Sequence, residues 1–212
     1  IVGAQAVVSE QEQLFTYESD ALANYRVTPA LVVLPTTTEQ VSQVIKVCAH
    51  YNLPVVPRGS GTGLSGGALP VEGGGVLSMS CMRDILEIDL ENGIAQVQAG
   101  VINLWFTQKV SPHGWYYAPD PSSQQVCSIG GNIAENSGGA HCLKYGFTVH
   151  HVLALEVVLP DGERVHIGSP MVDAPGPDTL GVCAGSAGQL RTPPRHGART
   201  RHNHQPGQRE PP

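Results

Sequence analysis

The feature that most constrains this chain is a short loop in which glycine dominates. Residues 57–67 read PRGSGTGLSGG, with five glycines in the nine residues that start at Gly59. Because glycine tolerates positive φ and has no Cβ, successive backbone N–H groups can converge on one anion. Each charge-assisted hydrogen bond of this kind contributes roughly 1.5 to 3 kcal/mol. The loop therefore predicts a cradle for a diphosphate, with further hydroxyl donors on Ser60, Thr62 and Ser65.

The residues before this loop have the pattern of a strand–helix–strand unit. Residues 30–34 form an apolar run closed by a proline, and residues 36–39 have the spacing of a helix capping box. A second apolar run follows at 53–56, after Asn52 as the helix stop. The helix between them is predicted from one apolar stripe at i, i+3, i+4 and i+7: Val41, Val44, Ile45 and Cys48. Strands joined in this way run parallel, and ligands gather at their carboxyl ends, where the glycine loop begins.

Two better-known phosphate-binding motifs fit this loop poorly. Residues 61–66 satisfy G-x-G-x-x-G, but the dinucleotide fingerprint requires a helix to begin within the glycines. Here Pro70 and three glycines at 73–75 precede a strand-like segment at 76–79. A P-loop is excluded because the loop contains no Gly-Lys-Ser/Thr. A plain flexible loop is the remaining structural alternative.

The pattern changes beyond Ser80 to one typical of antiparallel pairing. Residues 85–90 and 94–98 flank an Asn-Gly pair, which is the preferred tight hairpin turn. A helix is predicted at 102–110, and a second hairpin around an Asp-Gly pair at 153–167. We therefore expect an α+β fold of two lobes, with a small βαβ lobe first and a mainly antiparallel α+β lobe second.

These patterns divide the chain into lobes at 1–79 and 80–190 and a basic tail at 191–212. The tail contains no Ile, Leu, Val, Phe or Met, so we predict that it is disordered. It carries five arginines and one glutamate, whereas the preceding 190 residues carry 7 Lys and Arg against 17 Asp and Glu. A nucleic-acid-binding arm and an out-of-frame translation are the two interpretations of this tail, and we favour the second.

Charge and cysteine content exclude several classes of function. The net charge of -6 lies on an acidic body, which disfavours nucleic acid as a partner. Five cysteines form no CxxC pair and are odd in number, so neither a zinc ribbon nor a disulfide framework is predicted, and we expect no metal site. The sequence has no apolar run near the ~18 residues that a membrane-spanning helix requires.

A second group of small, polar motifs lies within the second lobe. They read PDPSS at 119–123, SIGGNIAENSGG at 128–139 and KYG at 144–146. Together with the first loop, and in this order, they resemble the FAD-binding domain of the vanillyl-alcohol-oxidase (PCMH-type) flavoprotein superfamily. Within that superfamily, the sequence is most similar to the group of the glycolate oxidase large subunit and the D-2-hydroxyacid dehydrogenases, over about residues 10–190.

The resemblance implies a cofactor and its ligands. In the family the first loop wraps the FAD diphosphate, and the motifs at 119–123 and 128–139 line the ribityl chain and the flavin. The FAD-binding residues implied here are Arg58, Gly59, Ser60, Gly61, Thr62, Gly66, Pro119, Ser122, Gly130, Gly131, Asn132, Asn136 and Gly139. Covalent members carry a histidine at the position of Thr62, which has no nucleophilic nitrogen, so non-covalent FAD is expected.

The resemblance also implies a reaction, in which the hydride of a small 2-hydroxyacid such as glycolate or D-lactate passes to flavin N5. A family segment that resembles GSEGTLGIVT is matched by residues 185–190 only until Ala187. The family's substrate domain follows that segment, so this chain alone is expected to bind FAD without turnover. His141 is the one candidate acid or base near the motifs, although a structural histidine is the more common interpretation.

Two alternatives to this function stay open at the level of sequence. One is a FAD-binding module without catalysis, and the other is a different reductase of the same FAD fold, such as a nucleotide-sugar reductase. For the first function, the resemblance implies a 2-hydroxyacid as small-molecule partner and the other subunits of a glycolate oxidase complex. It also implies a cytoplasmic protein that is peripheral to a membrane through those subunits.

Overall fold

The computed structural model describes residues 1–169 and 179–185 in full, together with the backbone of two strands at 192–199 and 201–202. The expected α+β class is confirmed, since a mixed sheet and an antiparallel sheet are both packed against helices. Among the helices of these residues, none combines the length and the apolar character needed to cross a lipid bilayer.

The N-terminal lobe contains a four-stranded sheet with the order β1-β2-β4-β3. Its elements are β1 (Val7–Val8), α1 (Gln11–Leu14), β2 (Leu31–Val33), α2 (Thr38–His50), β3 (Val55–Arg58) and β4 (Gly75–Ser78). Strands β2 and β3 are parallel, as predicted for a βαβ unit, but β4 lies between them and pairs with both. The glycine loop is therefore part of the connection from β3 to β4, which lies between β2 and β3.

Helix α2 has the predicted apolar face, but it begins one residue later than the sequence suggests. Thr37 is the N-cap, and its hydroxyl accepts a hydrogen bond from the backbone N–H of Gln40. The Gln40 side chain in turn accepts from the backbone N–H of Thr36 at 2.8 Å. The helix stops before Asn52, as predicted, because that residue takes a positive φ of 52°.

The second lobe contains a five-stranded antiparallel sheet with the order β5-β6-β10-β8-β9. Its strands are β5 (Ile85–Asp89), β6 (Ile94–Gln98), β8 (Val152–Val158), β9 (Arg164–Gly168) and β10 (Thr192–Arg199), and a separate pair consists of β7 (Trp115–Tyr116) and β11 (Arg201–His202). Its helices are α3 (Asn103–Val110), α4 (Ile129–Glu135), α5 (Cys142–Tyr145) and α6 (Thr179–Cys183). Both predicted hairpins, β5–β6 and β8–β9, are present.

The backbone of two tail segments is ordered into strands, where the sequence predicts disorder over 191–212. Strand β10 pairs with β6 on one side and with β8 on the other. Without β10, strands β6 and β8 would each leave backbone N–H and C=O groups unpaired. The prediction of disorder rested on side-chain composition, which carries no information about this backbone pairing. Pro193 and Pro194 lie within the register shift between Thr192 and Arg195, where their missing N–H groups interrupt no regular pairing. Residues 191, 200 and 203–212 lie outside the described residues.

Each lobe has an apolar cluster of its own, and a third cluster is shared between the two lobes. Val41 and Leu77 of the first lobe pack in it together with Ala99 and Val158 of the second. A buried hydrogen bond from Thr38 to the Glu156 carboxylate adds a polar link between α2 and β8. The relative position of the lobes is therefore set by packing on α2.

The shared cluster predicts a large loss of stability when it is opened. Leu77 is fully buried, so Leu77→Ala should lower the free energy of unfolding by about 2 to 5 kcal/mol. Leu143 is 99% exposed, so Leu143→Ala should change it by less than about 0.5 kcal/mol. Urea unfolding of both variants makes the comparison. Equal effects would contradict a core at this position.

Candidate functional site

The glycine loop starts from a buried arginine at the end of β3. The Arg58 guanidinium donates to the backbone carbonyls of Ser19 at 2.8 Å and of Ala68 at 3.4 Å, and it lies over the Tyr17 ring. Burial lowers the pKa of Arg58, while the negative charge of Asp20 opposes this change. Arginine remains a cation under these conditions. Arg58 therefore holds the loop against the N-terminal segment and keeps a positive charge beneath it.

The next turn of the loop depends on glycine. Gly61 has a φ of 70°, and a Cβ at this position would collide with the guanidinium group of Arg58. Any side chain here would displace the cation or strain the backbone. The turn therefore brings backbone directly over the arginine, as the diphosphate cradle requires.

The second motif forms the start of α4. The Ser128 hydroxyl is the N-cap and accepts from the backbone N–H of Gly131 at 3.3 Å. Gly130 is packed against Ala99, whose carbonyl accepts its backbone N–H at 2.8 Å. The glycines of this motif thus allow the helix to lie directly on the end of the second-lobe sheet.

The two motifs face each other across one cleft, although they are about 70 residues apart in the sequence. Gly59 lies so close to Ser128 that a Cβ on it would collide with the serine hydroxyl. The Ser65 hydroxyl donates to the Glu135 carboxylate at 2.6 Å. Loop and helix are therefore the two walls of a single site.

Most of the residues implied as FAD ligands line this cleft. They are Arg58, Gly59, Ser60, Gly61, Thr62, Gly130, Gly131 and Asn132. Gly66, Pro119, Ser122, Asn136 and Gly139 do not line it, and their places are taken by sequence neighbours such as Gly67, Ser123 and Ser137. Eight of the implied residues thus line the cleft and five do not, and their contacts with FAD stay a prediction.

Residues of the second group that lie outside the cleft have scaffold contacts. The Pro119 carbonyl accepts from the Asn103 side chain at 2.9 Å, and Ser122 is exposed. Asn136 ends α4 with a φ of 48°, and its side chain accepts from the backbone N–H of Val149 at 2.9 Å. These contacts fix the loops that carry the motif.

Gly66 and Gly139 serve as backbone positions. Gly66 has a φ of 77° and turns the first loop beside Leu69. Gly139 lies against the backbone of Asp120, where any Cβ would collide. Both glycines allow a turn or a close approach without facing the cleft.

His141 is held by Asp120 at the surface next to this contact. Its Nδ1 lies 2.5 Å from the Asp120 carboxylate, and its backbone N–H donates to the other carboxylate oxygen at 3.3 Å. With Nδ1 donating, Nε2 is left as an acceptor. The side chain is 65% exposed and does not line the cleft. The candidate base is thus oriented, but it stands outside the cleft.

Two polar groups in the cleft have unused hydrogen-bonding capacity. Within the described residues, Asn132 Nδ2 has no oxygen or nitrogen acceptor and Asp20 Oδ2 has no donor, although both side chains are buried. Buried polar groups normally find partners, so a ligand with both donors and acceptors fits these positions. Sequence reasoning missed Asp20 because it lies in a segment without motif or periodicity.

The cleft contains one cysteine, and its chemistry is suppressed. Cys127 is buried, and burial raises the pKa of its thiol. The thiol therefore stays protonated and is a poor nucleophile. In residues 1–169 and 179–185, no three His, Cys, Asp or Glu side chains come together as a metal site would require.

Comparison with known proteins gives the family. The family model described as FAD binding domain matches residues 29–168, and the chain belongs to this family. The resemblance noted in the sequence is thereby confirmed, and FAD is the cofactor of the family.

The curated relatives are longer flavoprotein chains. Glycolate oxidase subunit GlcD of Escherichia coli (strain K12) is 53% identical over 87% of this chain and 37% of its own length. The Bacillus subtilis subunit of the same name is 46% identical over 82% and 37%. D-lactate dehydrogenase of Anaerostipes hadrus is 37% identical over 87% and 38%. The chain thus spans less than two fifths of the length of these relatives.

Solved structures show the same fold. An alkyldihydroxyacetonephosphate synthase superposes with a TM-score of 0.82 over 94% of this chain and 38% of that protein. Sequence identity to it is only 21%, so this likeness concerns the fold alone.

The cleft fits FAD on its own geometry. Gly59 and Gly61 have no space for a Cβ, so their backbone lines the cleft directly, as a diphosphate that binds backbone N–H groups would require. The buried Asn132 amide and the Arg58 cation add further donors and positive charge.

The contact between Gly59 and Ser128 predicts the effect of one added methyl group. Gly59→Ala should displace the Ser128 hydroxyl from its N-cap position and narrow the cleft, so FAD binding should weaken at least about tenfold, or 1.4 kcal/mol. Gly75→Ala is the matched control, because its Cβ would have ordinary contacts with Leu31. Titration with FAD, followed by flavin fluorescence, measures both. If both variants bound FAD with the same affinity, the nucleotide would not bind between Gly59 and Ser128.

Proposed function

We propose that this chain is the FAD-binding part of an oxidoreductase that oxidises a small 2-hydroxyacid of the glycolate or D-lactate type. The observation that carries the proposal is the single cleft between two glycine-rich walls, one from each lobe. The names of the curated relatives, a glycolate oxidase subunit and a D-lactate dehydrogenase, support the substrate class.

The binding role falls to the residues that line the cleft. The backbone N–H groups of residues 59–62 contact the diphosphate, and Arg58 supplies positive charge beneath them. Asn132 donates its side-chain amide to an acceptor of the nucleotide. The other residues implied by the resemblance, among them Pro119 and Asn136, support the walls without touching the cofactor.

When bound, FAD supplies the hydride acceptor for the reaction. The chain's own residues bind and orient the nucleotide, and the apolar side chains of Met79 and Ala99 exclude water from part of the cleft. Asp120 holds His141 at the surface outside the cleft, so we assign His141 no proton transfer in the reaction. Among the described residues of the cleft, Arg58 is the only cation, and we assign its charge to the diphosphate. We therefore assign recognition of the substrate carboxylate to the part of the relatives that this chain does not share.

Partners and location follow from the same proposal. The relatives are named as subunits, which supports partner subunits of a glycolate oxidase complex. The protein is cytoplasmic and reaches a membrane only through such partners. The net charge of -6 supports the proposal that nucleic acid is not a partner.

Thr62 lines the cleft and offers only a hydroxyl, so FAD should dissociate when the protein unfolds. Acid precipitation of the flavin-loaded chain is expected to leave all the flavin in the supernatant, which absorbance measures. Yellow flavin that stays with the pellet would contradict non-covalent binding.

The substrate class is tested on the flavin-loaded protein without oxygen. Addition of glycolate or D-lactate should bleach the visible flavin band if a complete enzyme is present. The 212-residue chain should bind FAD but keep its colour, because the described residues of its cleft offer the substrate carboxylate no cation besides Arg58. A non-catalytic module predicts no bleaching even in a chain of the relatives' full length, and a nucleotide-sugar reductase predicts bleaching by a nicotinamide coenzyme instead.

A further inference from the structure

Asp20 is a buried carboxylate in the wall of the cleft, and one of its two oxygens is unused. Its Oδ1 accepts from the backbone N–H of Leu22 at 2.8 Å. Its Oδ2 is buried and has no hydrogen-bond donor within the described residues. The whole residue is only 7% exposed. An ionised oxygen in this position is costly unless a partner is supplied.

Arg58 does not supply that partner, although it lies on the same wall. Its Nη1 donates to the backbone carbonyls of Ser19 and Ala68. Asp20 acts on it only through the longer-range attraction between their charges, and no ion pair of 4.0 Å or less joins the two residues. The free oxygen of Asp20 therefore has no donor among the described residues, and a bound ligand can supply one.

The chemistry of FAD limits what this donor can be. Phosphate oxygens carry negative charge and only accept hydrogen bonds, so the carboxylate and the diphosphate repel each other. The neutral donors of FAD next to its diphosphate are the hydroxyls of the ribityl chain and of the ribose, whereas the adenine amino group and the flavin N3–H lie farther away. A carboxylate is a strong acceptor for any of them.

We propose that Asp20 is a cofactor-binding residue, whose Oδ2 accepts a hydrogen bond from a ribityl or ribose hydroxyl of FAD next to the diphosphate. The inference rests on FAD binding in this cleft. Asp20 offers an acceptor from the N-terminal lobe, and Asn132 offers a donor from the second lobe. FAD is thereby bonded to both lobes through side chains as well as through the glycine backbone.

The test compares FAD affinity with the stability of the FAD-free chain. Asp20→Asn keeps an oxygen for the Leu22 N–H but turns the other position into a donor that opposes the donor of FAD. FAD binding should weaken at least about tenfold, while the unfolding midpoint of the FAD-free chain stays the same or rises because a buried charge is gone. Glu12→Gln removes an exposed charge from the same segment and should leave affinity within about twofold.

Asp20→Ser is the second variant, because its hydroxyl can also accept from the Leu22 N–H and it has no second oxygen. The same loss of affinity is expected from it if Asp20→Asn does not fold. A purely structural Asp20 would show the opposite result, with lower stability and unchanged affinity, and would overturn the proposal. A wild-type chain that binds no FAD would contradict the proposed function instead.

Titrations with ADP and FMN identify the donor. If it belongs to the adenosine half, Asp20→Asn weakens ADP and FAD but leaves FMN unchanged. If it belongs to the ribityl chain, FMN and FAD weaken and ADP is unchanged. Unchanged affinity for all three ligands would overturn the assignment of Asp20.

Discussion

The close approach of Gly59 to Ser128 is the contact on which the rest of the site depends. The same serine hydroxyl caps α4. The loop can approach the helix this closely because Gly59 has no Cβ. The apolar cluster shared through α2 keeps the lobes at this separation. The cleft therefore forms only when the two lobes pack together, because each lobe supplies one of its two walls.

Local patterns predicted local structure well. The apolar stripe of α2 and the two Asn-Gly and Asp-Gly hairpins depend on neighbouring residues, whose spacing directly reflects helix or strand geometry. The start of α2 was wrong by one residue because Thr36 and Thr37 offer the same hydroxyl, and only the position of Gln40 decides between them. The motifs likewise located both walls, because close backbone contacts require glycine.

Contacts between distant segments could not be predicted in this way. Nothing in the sequence indicates that β4 lies between β2 and β3, or that a proline-containing segment pairs at the centre of the second sheet. Asp20 was missed because its importance comes from burial beside Arg58, which no local spacing encodes. Conversely, Pro119 and Asn136 belong to the motifs but do not line the cleft, and their hydrogen bonds are to Asn103 and Val149.

The central position of β10 has a consequence for how the chain is made. The hairpins β5–β6 and β8–β9 can each form early, but the backbone of residues 192–199 joins them into one sheet. While the ribosome still holds that segment, two open strand edges face solvent, and such edges pair readily with other chains. The yield of folded protein in the cell should therefore depend on how quickly the ribosome synthesises residues 192–199. The folded structure does not show this kinetic risk of aggregation, because both edges are paired in it.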